Sequence, residues 1–514
     1  MKVKWVLRVK KTVFIKNAAV LTVSSLILRF AGIIFKVWLA ALIGSEGIGL
    51  YQLVFSVYML AATFATSGLS TAVTRLVAEE SVLGNKAGML KILRRAIELT
   101  LIIAVISVGV IYFGAEFIAV RILGDQRAAI ALKILPLSLP FMGISSCFRG
   151  YFIARSRVTP NATSQLAEQA VRIITVVLLV KAFADKGLGM GLAAVMSGDV
   201  ISEAFVCLLL YLSVRFDRKN LNSFTGRALP KGAVKRILHI AMPITSGRYL
   251  NTALRTVENI LVPKGLSKFP LSGQNALSQF GMIKGMALPI LFFPSAVLNS
   301  ISTLLIPEMT VAAAKKQSLV VKNTTEKVLR LTAVIGFVFS AIFFVAGEEV
   351  GRLIYKNEEG VGFLIRVLSP IVPLMYLDSI SDGILKGLDE QAFSFWTAVS
   401  DSAIRIVLIT AILPRTGIMG FIGIMYFSNL FTCALNVGRL ICVSRAKFVI
   451  CDGAVALITA YCLTLLFDTL SRVIGITNNL VYIIFLSLTT IAAYTVTLFL
   501  FGIVSREDIL SAVR

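Results

Sequence analysis

The chain has 514 residues, 57% of them hydrophobic and 15% charged, and 51 lysines and arginines against 27 acids give a formal charge of +24. Soluble proteins carry roughly 25% charged residues, so these figures exclude a soluble enzyme, a disordered chain and a disulfide-rich secreted scaffold. They point to an all-α polytopic membrane protein, since a span needs about 20 apolar residues and this chain has room for many.

The basic N-terminus, Met1 to Lys16, leads into an apolar run that contains Arg29 and Lys36 and has no cleavage site before Gly44. It reads as a retained first span rather than a signal peptide. Fourteen spans are predicted, at 14–43, 48–71, 97–117, 129–150, 160–182, 188–213, 237–262, 282–306, 331–350, 367–388, 393–413, 418–442, 452–470 and 480–503. Spans 11 and 12 are separated by little more than Pro414-Arg415-Thr416-Gly417.

Alternate loops hold 31 basic residues on one side and 12 on the other. By the positive-inside rule both termini are expected in the cytoplasm of a bacterial cell, with the chain multi-pass in the plasma membrane. This topology signal accounts for most of the basic excess, so no nucleic acid partner is expected. The segment 214–236 carries seven basic residues, Gly226, Pro230 and one acid, Asp217, the composition of a cytoplasmic linker. The expected domains are therefore an N-terminal lobe (1–213), the linker, a C-terminal lobe (237–442), and spans 13–14 with a tail (443–514).

The halves are related. A shift of 233 residues aligns 132–173 with 365–406 without a gap, placing Pro140 on Pro373, Gly150 on Gly383, Glu168 on Asp401 and Arg172 on Arg405. Span 4 thus matches span 10 and span 5 matches span 11. Six spans separate the members, so this is a parallel repeat, an architecture of transporters with the substrate site between lobes.

The six cysteines, Cys147, Cys207, Cys433, Cys442, Cys451 and Cys462, lie in or beside apolar runs without paired loop spacing and read as reduced packing residues. The lone His239 cannot build a metal site of the usual kind. Neither a metal nor a cofactor is expected.

Eight basic residues fall inside spans: Arg29, Lys36, Arg172, Arg248, Arg255, Lys284, Arg405 and Arg439. Each costs about 2.5–3.5 kcal/mol at the bilayer centre on insertion scales, so each faces a cavity, pairs, or snorkels. Glu168 precedes Arg172, and Asp401 precedes Arg405, by four residues, so both pairs read as structural ion pairs. Arg29 and Lys36 are seven apart on span 1. Arg248 and Arg255 are seven apart on span 7, where Asn251, Thr252, Glu258 and Asn259 extend one polar face. Such cations suit an anionic ligand, and arginine's planar fork suits phosphate. The alternative is that they pair with acids on other spans, Asp199, Glu203, Asp378 or Asp382. Spans 4, 8 and 10 each carry two prolines, read either as hinges or as static kinks.

The stretches Leu28-Arg29-Phe30-Ala31-Gly32, Gly44 to Gln52, Ser67-Gly68-Leu69-Ser70 through Glu79, Gly247 to Glu258 with Pro263, Lys284 to Pro289 and Leu305-Ile306-Pro307-Glu308 resemble the stage V sporulation protein B branch of the multidrug/oligosaccharidyl-lipid/polysaccharide exporter superfamily. The resemblance covers spans 1–12 and implies a relative of the MurJ-type flippases, which move undecaprenyl-diphosphate-linked lipid II outward. It implies a substrate site built on Arg29, Lys36, Arg248, Asn251, Arg255 and Glu258, a polyprenyl-diphosphate lipid as partner in the bilayer, and cell-wall synthesis proteins as further partners. Arg29 matches the family's first-helix arginine, and Arg248 or Arg255 the one in the second lobe. No arginine here matches the family's span 2 position.

Two other readings compete: a multidrug exporter of the same superfamily, and a membrane-embedded polyprenyl-phosphate glycosyltransferase or polymerase. Cationic drugs favour acidic cavities, whereas spans 1 and 7 are basic. An enzyme needs a loop constellation of carboxylates or histidines, and no such motif stands out. With no nucleotide-binding motif, ion gradients or the membrane potential remain as the drive, and Glu258 and Asp401 are the candidate ion ligands.

Overall fold

In the computed structural model the described residues are 2–183, 187–219, 232–270, 276–295, 298, 309–356, 358, 360–447 and 450–502, with the side chains of 2–23, Ser67 and 450–452 left out. Most of the linker at 214–236 and the end of span 8 lie outside them. The helices are α1 (Lys2–Val82), α2 (Lys86–Phe117), α3 (Ala128–Ile134), α4 (Leu139–Ala154), α5 (Thr159–Phe183), α6 (Leu188–Lys219), α7 (Ala233–Ser267), α8 (Ala276–Gly281), α9 (Leu288–Phe292), α10 (Ser318–Ile354), α11 (Val361–Leu368), α12 (Val372–Gly387), α13 (Gln391–Ser444), α14 (Ile450–Ile474) and α15 (Asn479–Leu500).

Among the described residues, nine helices are long and apolar enough to cross a membrane. Two of them hold a break. α1 turns at Gly44 (φ 68°, ψ 177°) and α13 at Gly417 (φ 61°, ψ −142°), the junctions between predicted spans 1 and 2 and spans 11 and 12. A positive φ is tolerated by glycine because no Cβ meets the backbone. α5 and α7 are outside the set of nine, since ionised residues interrupt their apolar runs. On α2, Ile102, Val105, Ile106, Val110 and Phe113 are exposed together. A patch this apolar belongs against lipid tails rather than water.

The chain divides into two compact units, Met1–Phe35 with Leu50–Ile260, and Lys36–Gly49 with Leu261–Arg514. In the first unit, Val73, Leu76, Met89, Ile92, Tyr151, Phe152, Leu210 and Ile237 form a continuous core contributed by α1, α2, α4, α6 and α7. In the second, Val338, Ala341 and Ile342 of α10 pack with Ala456 and Ala460 of α14 and with Tyr494 and Leu498 of α15. The last two spans are thus anchored on span 9, and Ser340 and Tyr461 share a hydrogen bond of 2.8 Å across that contact.

The same device bends spans 4 and 10. A 3-10 turn, Leu135–Ser138, joins α3 to α4, and another, Ser369–Ile371, joins α11 to α12. Pro140 and Pro373 have no N–H to give the carbonyl four residues back. The preceding residue takes that carbonyl instead: Leu139 N–H bonds Pro136 O, and Val372 N–H bonds Ser369 O. The three-residue hydrogen bond is the 3-10 pattern.

Candidate functional site

The first unit contains a cavity of about 810 Å³ between α1 after its break, α4 and α7. Small residues let these helices approach. A Cβ on Gly68 would stand 2.2 Å from the Ala241 carbonyl oxygen, so only glycine permits the contact of α1 with α7. Hydroxyls and amides then stitch the two helices: Thr256 Oγ1 donates to Ser56 O at 3.1 Å, Asn259 Nδ2 to Ser56 Oγ at 2.9 Å, and the Thr63 and Thr252 hydroxyls meet at 3.2 Å.

Arg248, Asn251, Arg255 and Asn259 line the cavity from α7, Gln52, Thr63 and Thr66 from α1, and Ser146 and Arg149 from α4. The lining holds three arginines and no carboxylate. Arg248 and Arg255 are exposed, and among the described residues no ion pair or hydrogen bond engages either side chain. Cations left free on a polar wall are available to an anion.

Arg149 is held from behind. Its Nη2 donates to Glu168 Oε2 at 2.7 Å, while Glu168 Oε1 accepts from Arg172 Nη2 at 2.9 Å. Arg172 Nε lies 2.7 Å from Asp199 Oδ1. A chain of alternating charge therefore runs from the cavity wall on α4 through α5 to α6. Buried polar networks of this kind hold their members in fixed geometry when satisfied and are costly when broken. The neighbouring Glu203 is buried, with Oε2 unpaired among the described residues.

The second unit carries the equivalent pair. Arg405 Nη2 donates to Asp401 Oδ2 at 2.8 Å, Arg405 Nε donates to Ser428 Oγ at 2.7 Å, and Ser428 donates to Asp401 Oδ1. Nearby, Asn436 donates to Asp378 at 2.8 Å, and Asp382 pairs with Lys386. The four acids weighed as partners for the α7 arginines thus leave Arg248 and Arg255 unengaged.

The other singled-out residues are dispersed. Arg29 is exposed, belongs to the first unit and is absent from the cavity lining; Lys36, also exposed, belongs to the second unit. Glu258 is buried and likewise not part of the lining. Lys284 sits in a π-helical turn, Met282–Ala287, 5.9 Å from the centre of the Phe421 ring. Arg439 pairs with Glu390 at 2.8 Å and lies over Phe393. Sequence reasoning missed Arg149, which was counted with the loop after span 4. The usable signal was its place one residue before Gly150 in the repeat.

Comparison with known proteins supplies the family. The polysaccharide biosynthesis protein model matches residues 14–309, more than half of the chain. Stage V sporulation protein B of Bacillus subtilis (strain 168) is 28% identical over 417 residues, 80% of each chain. The lipid II flippase MurJ of the same organism is 22% identical over 422 residues, 77% of this chain and 76% of the relative. A solved structure of the lipid II flippase MurJ in an inward closed conformation superposes with a TM-score of 0.70 at 14% identity, covering 93% of this chain and 98% of that one. The chain is a multi-pass membrane protein with a transporter fold, and it belongs to the polysaccharide biosynthesis protein family.

Proposed function

We propose that this protein is a flippase that exports a polyprenyl-diphosphate-linked saccharide, lipid II or a related cell-wall or spore glycan precursor, by alternating access. The observation that carries the reading is the cavity wall with Arg149, Arg248 and Arg255 and no carboxylate. Two or more guanidinium forks offer a diphosphate charge-assisted, bidentate hydrogen bonds. The amides of Asn251, Asn259 and Gln52 and the hydroxyls between them suit the polar face of a sugar. A basic wall argues against cationic drugs as cargo. The names carried by the relatives, a sporulation protein and a lipid II flippase, support the same substrate class.

In this reading 1–213 and 237–442 act as the two lobes, both termini are cytoplasmic, and the protein transports without catalysing. Purified protein in vesicles with a labelled polyprenyl-diphosphate saccharide provides the test. Net transfer to the opposite leaflet, with the lipid chemically unchanged, is the expected result. A new glycosidic bond, or no transfer by well-folded protein, overturns it.

A further inference from the structure

A second cavity, about 500 Å³, opens on the outer surface of the first unit between α2, α4 and α6. Its walls are apolar: Phe141 and Ile144 from α4, Ile97 from α2, and Leu208 and Tyr211 from α6. Leu208 and Tyr211 are 57% and 48% exposed, so the groove is open to whatever surrounds the helices. On α6 the apolar lining runs from Ala204 to Val214 and ends on Arg215 and Arg218.

The dimensions fit one leaflet. Ten residues of α-helix at about 1.5 Å each span about 15 Å, half of a hydrocarbon core about 30 Å thick. Arg215 and Arg218 then stand at headgroup depth, three residues apart on one helix face. The one acid between them does not neutralise them. Asp217 is buried, accepts from Tyr151 Oη at 2.7 Å, and is paired with Arg157 at 2.5 Å and Arg155 at 3.5 Å. Among the described residues neither Arg215 nor Arg218 has an ion pair or hydrogen bond to its side chain. An apolar trough one leaflet deep, closed by two free cations, matches an acyl chain below an anionic phosphate.

We infer that this groove is a binding site for an acidic phospholipid of the bilayer, with an acyl chain along Leu208 and Tyr211 and its phosphate between Arg215 and Arg218. Basic clusters at the ends of membrane helices recognise acidic headgroups in this way. The site is separate from the cargo cavity and does not depend on what that cavity carries.

Native mass spectrometry of the full chain, released from nanodiscs of mixed phosphatidylglycerol and phosphatidylcholine, reads the retained lipid. Wild type should retain phosphatidylglycerol in preference, and the double variant Arg215→Gln/Arg218→Gln should lose about thirtyfold in relative affinity, about 2 kcal/mol for two surface arginines. A second variant, Cys207→Phe, fills the trough and keeps both arginines; it should lose the retained lipid too. Thermal unfolding in phosphatidylcholine alone shows that each variant is folded. Equal retention of both lipids by wild type, or undiminished phosphatidylglycerol on either folded variant, overturns the site. Retention of added polyprenyl diphosphate in place of phosphatidylglycerol, abolished by the double variant, overturns the assigned occupant.

Discussion

The repeat-equivalent ion pairs differ in what surrounds them. In the first unit Glu168 is shared by Arg149 and Arg172, and Arg172 reaches a second acid, Asp199. In the second unit Asp401 serves Arg405 alone, and a neutral hydroxyl, Ser428, meets the same guanidinium nitrogen that Asp199 meets in the first. The shift that sets Gly150 on Gly383 also sets Arg149 on Asp382, which is occupied with Lys386 instead. One ancestral pair has thus become a relay to a cation-lined cavity in one half and a self-contained clasp in the other. Duplication preserved the local i,i+4 contact and left its outer partners free to diverge.

The difference can be broken experimentally. The largest expected effect is that of Glu168→Ala, which leaves two arginines without their carboxylate and should cost about 3–5 kcal/mol, as for a severed buried pair. Thermal unfolding in detergent measures it. Asp401→Ala should cost less, because Ser428 still accepts from Arg405, and an equal loss would erase the distinction. The double variant Glu168→Ala/Arg172→Ala should recover only part of the stability, since Arg149 remains stranded. Asp401→Ala/Arg405→Ala should recover more of its smaller loss, and purely additive losses in both cycles would mean that the members do not interact.

Next in size are the free cavity cations. Arg248→Ala and Arg255→Ala should each weaken binding of a diphosphate lipid by about 1.5–3 kcal/mol and leave unfolding unchanged, since both side chains are exposed. Normal transport by the folded double variant would remove them from the site. Arg29→Ala is the contrast: a comparable loss there would extend the site beyond the walls of this cavity. The smallest effect is expected of Asp199→Ser, which gives the first unit the partner found in the second. It should cost about 1 kcal/mol, the net worth of an ordinary hydrogen bond. A loss as large as that of Glu168→Ala would make Asp199 an essential member of the relay.

Local features were legible in the sequence, and crossings between helices were not. The apolar runs, the turns at Gly44 and Gly417, the prolines of spans 4 and 10 and both i,i+4 pairs depend on neighbours within a few residues. Arg149 was out of reach because hydropathy marks where a helix ends but not which way its last turn faces. Asp199 lies 27 residues from Arg172 (199 − 172) on another helix, so no periodicity joins them. Asp217 was read as the lone acid of a basic linker, yet it is buried under Tyr151, Arg155 and Arg157. Its isolation among seven basic residues was the available hint. The polar face of α7 was legible, but only the packing of Gly68 against Ala241 turned Arg248 and Arg255 toward a shared space.

The 3-10 turn in span 4 also sets an angle. An α-helix advances about 100° per residue and a 3-10 helix about 120°, so the four residues Leu135–Ser138 add about 4 × 20°, or 80°, of rotation. Everything beyond that turn is re-phased about the helix axis. Were the segment plain α-helix, Arg149 would point about a quarter-turn away from the wall it now shares with Arg248 and Arg255. The corresponding turn in span 10 has three residues and adds about 60°, leaving the two halves about 20° out of register. A helical wheel drawn straight through either proline pair would therefore assign the functional face to the wrong side.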